Sequence, residues 1–546
     1  MPMTNTRNQN NTRSIYLETF GCQMNELDSE LVAGSLGSLG YKFTAVSSEA
    51  DIVLYNTCSV RQRAEQKVWS RLGEMRKRKQ SQPGLIVGVL GCMAERDGQD
   101  LIARMPVVDI MCGPSELDKL PELVDNAVRT KSSLAEHDPE IAMRRSAKQV
   151  ALQGNASRRS STLAAAGDSL ENLDLGRMLS PVDFDDRRSA YVRITRGCNK
   201  FCTYCVVPHT RGAEIHRPPE HIIDEIKALA DQGILEITLL GQTVNHYRFE
   251  HDSAVTVDGI VQPQKGRTYK GSHNRDAFAG ANTTTFADLL YRIHEEVPGI
   301  KRLRFMTSYP RDFGDDVLQV IRDCPRICRF IHVPAQTGSN RMLKMMNRGH
   351  DIEEYYDFIA RCNEYLHQPE IGRPLMLGGD IIVGFPTETD EDHELTKELL
   401  TRSRYKNCYI FKYSPRPGTV SYDKIPDDIP DAVKKTRNNE LLTIQTQISD
   451  SIAQEQVGSE FDVFVEGLSR HEYKKRGTDV KPGSGMVGIT IGGSAPSAQT
   501  ITIDPETQGP TIQLSGRTDG DLIVFFNVPT TGLKSPNAYI GKIVRA

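Results

Sequence analysis

Three cysteines fall within eight residues of one another in Gly197-Cys198-Asn199-Lys200-Phe201-Cys202-Thr203-Tyr204-Cys205. Thiolates at this CxxxCxxC spacing can wrap one corner of a cubane iron–sulfur cluster and leave its fourth iron free for a cofactor or substrate. A structural zinc site is the competing reading, because His209 follows four residues after Cys205. A second set is dispersed. Cys22, Cys58 and Cys92 lie 36 and 34 residues apart, each just beyond a short apolar run, in Thr19-Phe20-Gly21-Cys22, Asn56-Thr57-Cys58 and Leu90-Gly91-Cys92. That step is about the ~30 residues of one βαβ unit, so the three thiols belong on successive strand tips, with strands ~4.8 Å apart. Strand tips are where open α/β sheets place their ligands, and three matched thiols there point to a second cluster; three buried core thiols are the alternative.

The elements that must position these residues follow from the apolar pattern. Residues 14–20, 51–55, 85–90 and 109–111 read as near-continuous apolar strands separated by helical stretches. This is the pattern of a small, doubly wound parallel-sheet domain over 14–130. Residues 131–188 lose their periodicity and read as a linker or insertion. Strands near 191–195, 235–240, 302–306, 330–333, 379–384 and 408–412 predict a partial (β/α)6 barrel over 189–440, with the CxxxCxxC loop at the C-terminal mouth of its first strand. Polar residues 248–282 interrupt it as a loop insertion. A linker helix over 431–456 leads to alternating strands at 461–465, 522–528 and 539–544, read as a small C-terminal antiparallel β-barrel with an insertion at 474–509. The fold class is thus α/β in three domains, preceded by a disordered tail over 1–13.

The 546 residues include 67 basic and 71 acidic side chains, a balance that neither requires nor excludes a nucleic-acid partner. Locally, Arg61, Arg63, Lys67, Arg71, Arg76, Lys77, Arg78 and Lys79 oppose only Glu65 and Glu74, a basic helix suited to phosphate contact or simply to solvent. No apolar run approaches the ~20 residues of a membrane span, and the first residues lack the apolar core of a secretory signal. The expectation is a cytoplasmic protein without a membrane partner, in which clustered thiols serve metal or redox chemistry. Of the other five of the 11 cysteines, Cys324 and Cys328 are expected as buried or incidental thiols and Cys362 and Cys408 in the core, while Cys112, after the fourth strand, is a weaker competitor for the dispersed site.

With their flanking residues the motifs resemble a known family. Phe20-Gly21-Cys22-Gln23-Met24-Asn25, Asn56-Thr57-Cys58-Ser59-Val60-Arg61, the CxxxCxxC run continued through Val206-Val207-Pro208-His209-Thr210-Arg211-Gly212, and Asp380-Ile381-Ile382-Val383-Gly384-Phe385-Pro386 resemble the radical S-adenosylmethionine methylthiotransferases. The tRNA branch is the nearest, and the C-terminal barrel is similar to that family's OB-like TRAM domain. The resemblance implies two [4Fe–4S] clusters: one on Cys198, Cys202 and Cys205 that binds and cleaves S-adenosylmethionine, and an auxiliary one on Cys22, Cys58 and Cys92 that carries the sulfur. No side-chain acid or base is implied. Candidates for holding S-adenosylmethionine are Tyr204, Gln242, Gln336 and Gly384. The implied reaction is methylthiolation of C2 of N6-dimethylallyladenosine at position 37 of tRNA. Gln23-Met24-Asn25 favours that target over threonylcarbamoyladenosine or a ribosomal protein side chain. A two-cluster electron-transfer or RNA-binding protein without catalysis is the alternative from another class. The implied partners are the tRNA anticodon stem-loop and a reductant protein such as flavodoxin or ferredoxin, and the chain is expected to be a monomer. Residues 131–188, 248–282 and 474–509 are longer than the family's pattern.

Overall fold

The computed structural model describes residues 13–137, 148–152, 170–171, 173–174, 176, 188–251, 256–257, 260–261, 283–475, 511–529 and 539–545. Its first region alternates β1 (Ser14–Phe20), α1 (Gln23–Ser38), β2 (Lys42–Phe43), β3 (Ile52–Thr57), α2 (Gln62–Ser81), β4 (Ile86–Gly91), α3 (Cys92–Arg104), β5 (Ile110–Cys112), α4 (Leu120–His137) and β6 (Gln149–Ala151). The strands form one parallel sheet in the order β2-β1-β3-β4-β5-β6. β3 and β4 are buried along their whole length because helices cover both faces. Leu54, Ile86 and Ile110 pack against Val32 of α1 and Val124 of α4, while Val53, Val87 and Val89 pack against Val68 of α2 and Leu101 of α3. This is the doubly wound arrangement that the continuous apolar strands predict. The order reverses between β1 and β3, the topological switch point where such sheets bind ligands.

The boundary expected at residue 130 moves. α4 continues to His137, and β6 lies within the segment read as a linker, where it pairs with β5 in the register Ile110↔Gln149 to Cys112↔Ala151. A three-residue edge strand with an exposed Val150 carries too little alternation to stand out in a polar stretch. Leu170 also packs into this core. Residues 1–12, and most of the expected insertions at 131–188, 248–282 and 474–509, lie outside the described residues.

The second region has six parallel strands: β7 (Ser189–Arg193), β10 (Glu236–Leu240), Arg302–Phe305, Phe330–His332, Met376–Val383 and Asn407–Lys412. A short hairpin, β8 (Thr195–Arg196) with β9 (Ile215–His216), follows the first of them. The six strands make two ladders of three, joined by the bridge Leu303↔Ile327 and by Ser308 N–H donating to His332 O at 3.0 Å. The sequence also marks where covering helices begin. Thr285 with Asp288, Asp351 with Glu354 and Thr389 with Asp392 each form a capping box. The expected loop at 248–282 opens as a ladder, with Arg248–Glu250 pairing with Thr283–Thr285.

Helix Asp431–Glu455 lies along the last barrel strand, donating from Asn438 to Ile410 O at 3.1 Å and from Gln445 to Tyr405 O at 2.7 Å. It leads to an antiparallel sheet of Asp462–Leu468, Thr511–Arg517, Ile523–Pro529 and Ile543–Arg545. Thr511–Arg517 is a strand the sequence pattern did not mark. This sheet docks at the N-terminal ends of the barrel strands: Arg302 donates to Arg517 O at 2.6 Å, Arg304 to Thr518 O at 2.6 Å, and Lys406 pairs with Asp521 at 2.7 Å. The opposite, C-terminal mouth is left to the N-terminal region.

Candidate functional site

β1, β3 and β4 end level with one another, in the registers Phe20↔Thr57 and Thr57↔Gly91. Cys22, Cys58 and Cys92 follow these three ends and so gather beside the switch point. An amide network fixes the tips: Asn25 Nδ2 donates to Asn56 Oδ1 at 3.0 Å, and Asn56 Nδ2 donates to Asn25 O and Ser29 Oγ, both at 2.9 Å. Gly91 has φ +86°, and a Cβ there would fall 2.4 Å from Asn56 Oδ1 and 2.7 Å from Thr57 O, so only glycine lets the chain turn Cys92 toward its partners.

The CxxxCxxC loop bridges β8 and the short helix Val207–Thr210. Gly197 plays the part of Gly91 here, with φ +71° and a virtual Cβ 2.0 Å from Ala213 O. Distant segments hold the loop. Thr203 N–H donates to Met346 O at 3.1 Å and its hydroxyl to Met345 O at 2.9 Å, Asn347 Nδ2 donates to Phe201 O at 3.0 Å, and Ser421 N–H donates to Thr203 O at 2.8 Å.

Three of the six sulfurs accept a hydrogen bond from an N–H group. Val60 N–H reaches Cys58 Sγ at 3.2 Å, Lys200 N–H reaches Cys198 Sγ at 3.4 Å, and Arg348 Nη1 reaches Cys202 Sγ at 3.5 Å. Cys22 Sγ donates to Asn25 Oδ1 at 3.3 Å, and Cys112, outside both sets, donates to Glu116 O at 3.1 Å. Sulfur that accepts hydrogen bonds is sulfur arranged to carry negative charge. The hydrogen bond shared with Cys58 holds the Cys22 thiol below its ordinary range, and Arg211 and Arg61 act in the same direction; the same bond and burial push Cys58 up. Burial pushes Cys92, Cys198 and Cys205 up, so these thiols need a bound cation to ionise. Two sets of three sulfurs, with N–H donors on Cys58, Cys198 and Cys202, fit the soft irons of an iron–sulfur cluster.

The sets share one cleft. The Cys205 thiol feels the charge of Cys92. Arg211, just past the CxxxCxxC run, crosses to Asp28 at 2.7 Å in a fully buried pair. Arg416 crosses to Glu65 at 3.1 Å and to Val60 O at 3.0 Å. Met24, Leu27 and Leu31 of α1 pack on Leu240 at the end of β10.

The four residues expected to hold S-adenosylmethionine divide. Tyr204 is half-buried against Met342, Met346 and Phe385. Gln336 bridges two strand ends through its backbone, donating to Asp380 O and accepting from Ile382 N–H, both at 2.9 Å, with φ +79°. Gln242 sits half-buried after β10, on the other ladder. Gly384 is explained by packing: its φ is +67° and a Cβ would lie 2.3 Å from Lys434 Cγ of the linker helix. Sequence reasoning missed Arg348, Arg416 and the role of Arg211. Only Arg211 carried a signal, its place within the matched run. The basic helix α2 is partly committed to its own domain. Arg61 donates to Gly21 O at 3.1 Å, Arg71 pairs with Glu18 at 3.2 Å, Arg78 donates to Ala50 O at 2.6 Å and Lys79 pairs with Asp109. Arg63, Lys67, Arg76 and Lys77 remain exposed. No helix among the described residues is long and apolar enough to cross a membrane.

Residues 14–113 match the family described as "Uncharacterized protein family UPF0004", and residues 192–400 match the radical SAM superfamily. A protein of Rhodopirellula baltica named tRNA-2-methylthio-N(6)-dimethylallyladenosine synthase is 37% identical over 517 residues, covering 94% of this chain and 90% of its own length. A protein of the same name from Aquifex aeolicus is 35% identical over 470 residues, covering 86% of this chain and 92% of its own. Among solved structures, the radical S-adenosylmethionine methyltransferase TsrM of Kitasatospora setae aligns with 14% identity and a TM-score of 0.45, over 73% of each chain.

Proposed function

The chain belongs to the family of tRNA-2-methylthio-N(6)-dimethylallyladenosine synthases, and on that premise we propose that it attaches a methylthio group to C2 of N6-dimethylallyladenosine at position 37 of tRNA. The observation that carries this reading is the approach of two thiol triads across the contact of two regions joined by the buried Arg211–Asp28 pair, with N–H donors on Cys58, Cys198 and Cys202.

Cys198, Cys202 and Cys205 are assigned to the [4Fe–4S] cluster that works with S-adenosylmethionine, and Cys22, Cys58 and Cys92 to an auxiliary one. When bound, these groups supply the one-electron and sulfur-transfer chemistry that an unactivated adenine C2–H requires and that no amino-acid side chain provides. The chain's own residues hold and shield. Gly91 and Gly197 allow the turns that aim the thiols. Arg348 places a buried guanidinium beside Cys202, braced by Pro334 O at 2.6 Å. Arg211 with Asp28 and Arg416 with Glu65 lock the two regions face to face, which keeps water from the cleft between them. Tyr204, Gln242 and Gln336 border the mouth, where barrel enzymes bind cofactors.

The substrate side is the anticodon stem-loop, whose unpaired loop bases can be turned out without breaking a duplex. The exposed Arg63, Lys67, Arg76 and Lys77 of α2 are suited to its phosphates. The C-terminal antiparallel sheet is assigned as a TRAM-type RNA-binding module, the chain as a cytoplasmic monomer, and its electron source as a flavodoxin- or ferredoxin-like protein. Mass spectrometry of tRNA nucleosides from a strain lacking the chain tests the reading. Loss of 2-methylthio-N6-dimethylallyladenosine with accumulation of N6-dimethylallyladenosine is expected, and an unchanged nucleoside profile would overturn it.

A further inference from the structure

Beside the CxxxCxxC loop lies a cluster that the methylthiolation chemistry does not use. Glu214 and His216, on the strand returning from that loop, meet His246 in the turn after β10, with one carboxylate oxygen and two imidazole nitrogens all within 4.8 Å of one another. Glu214 and His246 are buried and His216 is half-buried. Glu214 is pre-oriented: one oxygen accepts from Thr243 Oγ1 at 2.9 Å, and the other lies 2.8 Å from His246 Nδ1. Its backbone N–H donates to Asn199 Oδ1 at 3.2 Å, within the CxxxCxxC loop itself. Two further nitrogens, His216 Nδ1 and His246 Nε2, are buried without a hydrogen-bond partner. A simple Glu214–His246 ion pair accounts for neither of them, and burying such a nitrogen unpaired costs about 1–3 kcal/mol.

We propose that Glu214, His216 and His246 bind a divalent first-row transition ion, with zinc as the fitting probe, and that this ion ties the CxxxCxxC loop to the turn after β10. Two imidazoles and a carboxylate are ligands of that class, and a hydroxyl on the carboxylate is the kind of outer contact that orients a ligand. Burial holds the His216 ring down at about 4, so the ring is neutral near pH 7 and one of its nitrogens offers a lone pair. Two cations, Lys200 and Arg248, also face the cluster. Lys200 is neutralised by its buried pair with Asp312. A small cavity of about 40 Å³, lined by Asn245, His246, Thr285, Asp312 and Asp316 among others, meets the cluster at His246.

The test uses the full chain, purified anaerobically with its iron and sulfide in place and dialysed against zinc chloride. Zinc and iron per chain are counted by mass spectrometry, and the zinc environment is read by X-ray absorption. About one zinc per chain is expected, with nitrogen and oxygen scatterers at ~2.0–2.1 Å and imidazole multiple scattering. His216→Ala and His246→Ala should each lower zinc about tenfold at unchanged iron. His216→Cys should keep the zinc and add one sulfur at ~2.3 Å, which a merely misfolded variant would not do. A wild-type chain that fills with iron but takes up no zinc overturns the proposal. So does a zinc content unmoved by His216→Ala, or a sulfur-dominated spectrum in the wild type, which would put the zinc on the cysteines.

Discussion

The two thiol triads are built in opposite ways. In one, Cys198, Cys202 and Cys205 come from eight consecutive residues, but what holds them is remote: Met345, Met346, Asn347, Arg348 and Ser421 all reach back across the barrel to the loop. In the other, Cys22, Cys58 and Cys92 come from three neighbouring strands of the parallel sheet, and the tips of β1 and β3 are fixed at home, by Asn25, Ser29, Asn56 and Val60 of the same domain. Ligands that are neighbours in sequence need a distant scaffold to fix the loop that bears them. Ligands that sheet topology brings together inherit the rigidity of the sheet. The first arrangement should therefore be lost through remote contacts, and the second through faults in its own strands.

The strongest way to break this comparison is to remove the thiols. Alanine at Cys198, Cys202 or Cys205 is expected to abolish formation of 5'-deoxyadenosine from S-adenosylmethionine and to remove about four irons per chain. Alanine at Cys22, Cys58 or Cys92 should also remove about four irons and abolish the methylthio product, while 5'-deoxyadenosine still forms. Iron analysis and liquid chromatography of the nucleosides read both. If loss of the dispersed triad also stops 5'-deoxyadenosine formation, the two triads do not have separate roles.

Next comes the contact between them. Arg211 and Asp28 are buried together, and removing one partner leaves a bare charge in the interface, at a cost of about 3–5 kcal/mol. Arg211→Met should therefore lower the chemical-denaturation midpoint strongly, and adding Asp28→Asn should restore much of it. Equal damage from the single and double variants would show that the pair does not join the two regions.

Backbone substitutions give a smaller effect and a sharper contrast. Gly197→Ala forces a Cβ against Ala213 O, and Gly91→Ala forces one against Asn56 and Thr57, each at a positive φ, for about 2–3 kcal/mol. The first should lose S-adenosylmethionine cleavage and the second only the methylthio product. Gly37→Ala near the end of α1, where a Cβ meets nothing within 4 Å, should be neutral or slightly stabilising.

The same contrast explains what could be read from the chain. The CxxxCxxC ligands were legible because three like residues in one loop are a local signal, and the dispersed triad was legible once apolar runs had fixed three strand ends. The doubly wound sheet and the six barrel strands followed from continuous apolar segments of ordinary length. β6 and Thr511–Arg517 did not, since a three-residue edge strand and a strand emerging from a long polar stretch barely alter the local pattern. Least legible were the supports. Arg348 meets Cys202 across 146 positions and Arg416 meets Glu65 across 351, and nothing local distinguishes either arginine from a surface one. Glu214, His216 and His246 escaped for the same reason, two of them in a hairpin and one in a turn that only the barrel brings near.

Charge around the two triads offers the finest test. Arg211, near Cys22 and Cys92, is matched by Asp28, so its field is largely cancelled within the pair. Arg348 is buried beside Cys202, with a carbonyl, the sulfur and the face of the Tyr309 ring, 4.7 Å away, as its contacts and, among the described residues, no carboxylate within ion-pair distance. An uncompensated cation next to a ligand sulfur favours the reduced, more negative state of a cluster held there. Arg348→Gln, which keeps a hydrogen-bond donor but removes the charge, should make that cluster harder to reduce, by about 50 mV, close to the 59 mV that equals a tenfold change for one electron. The cluster on the dispersed triad should stay within experimental error. A redox titration followed by electron paramagnetic resonance separates the two signals, using the Cys198→Ala and Cys22→Ala chains to assign them. Equal shifts in both would mean that Arg348 acts through the fold as a whole. A shift confined to one would fix the asymmetry on a single guanidinium: the compact triad leans on a charge supplied from far along the chain.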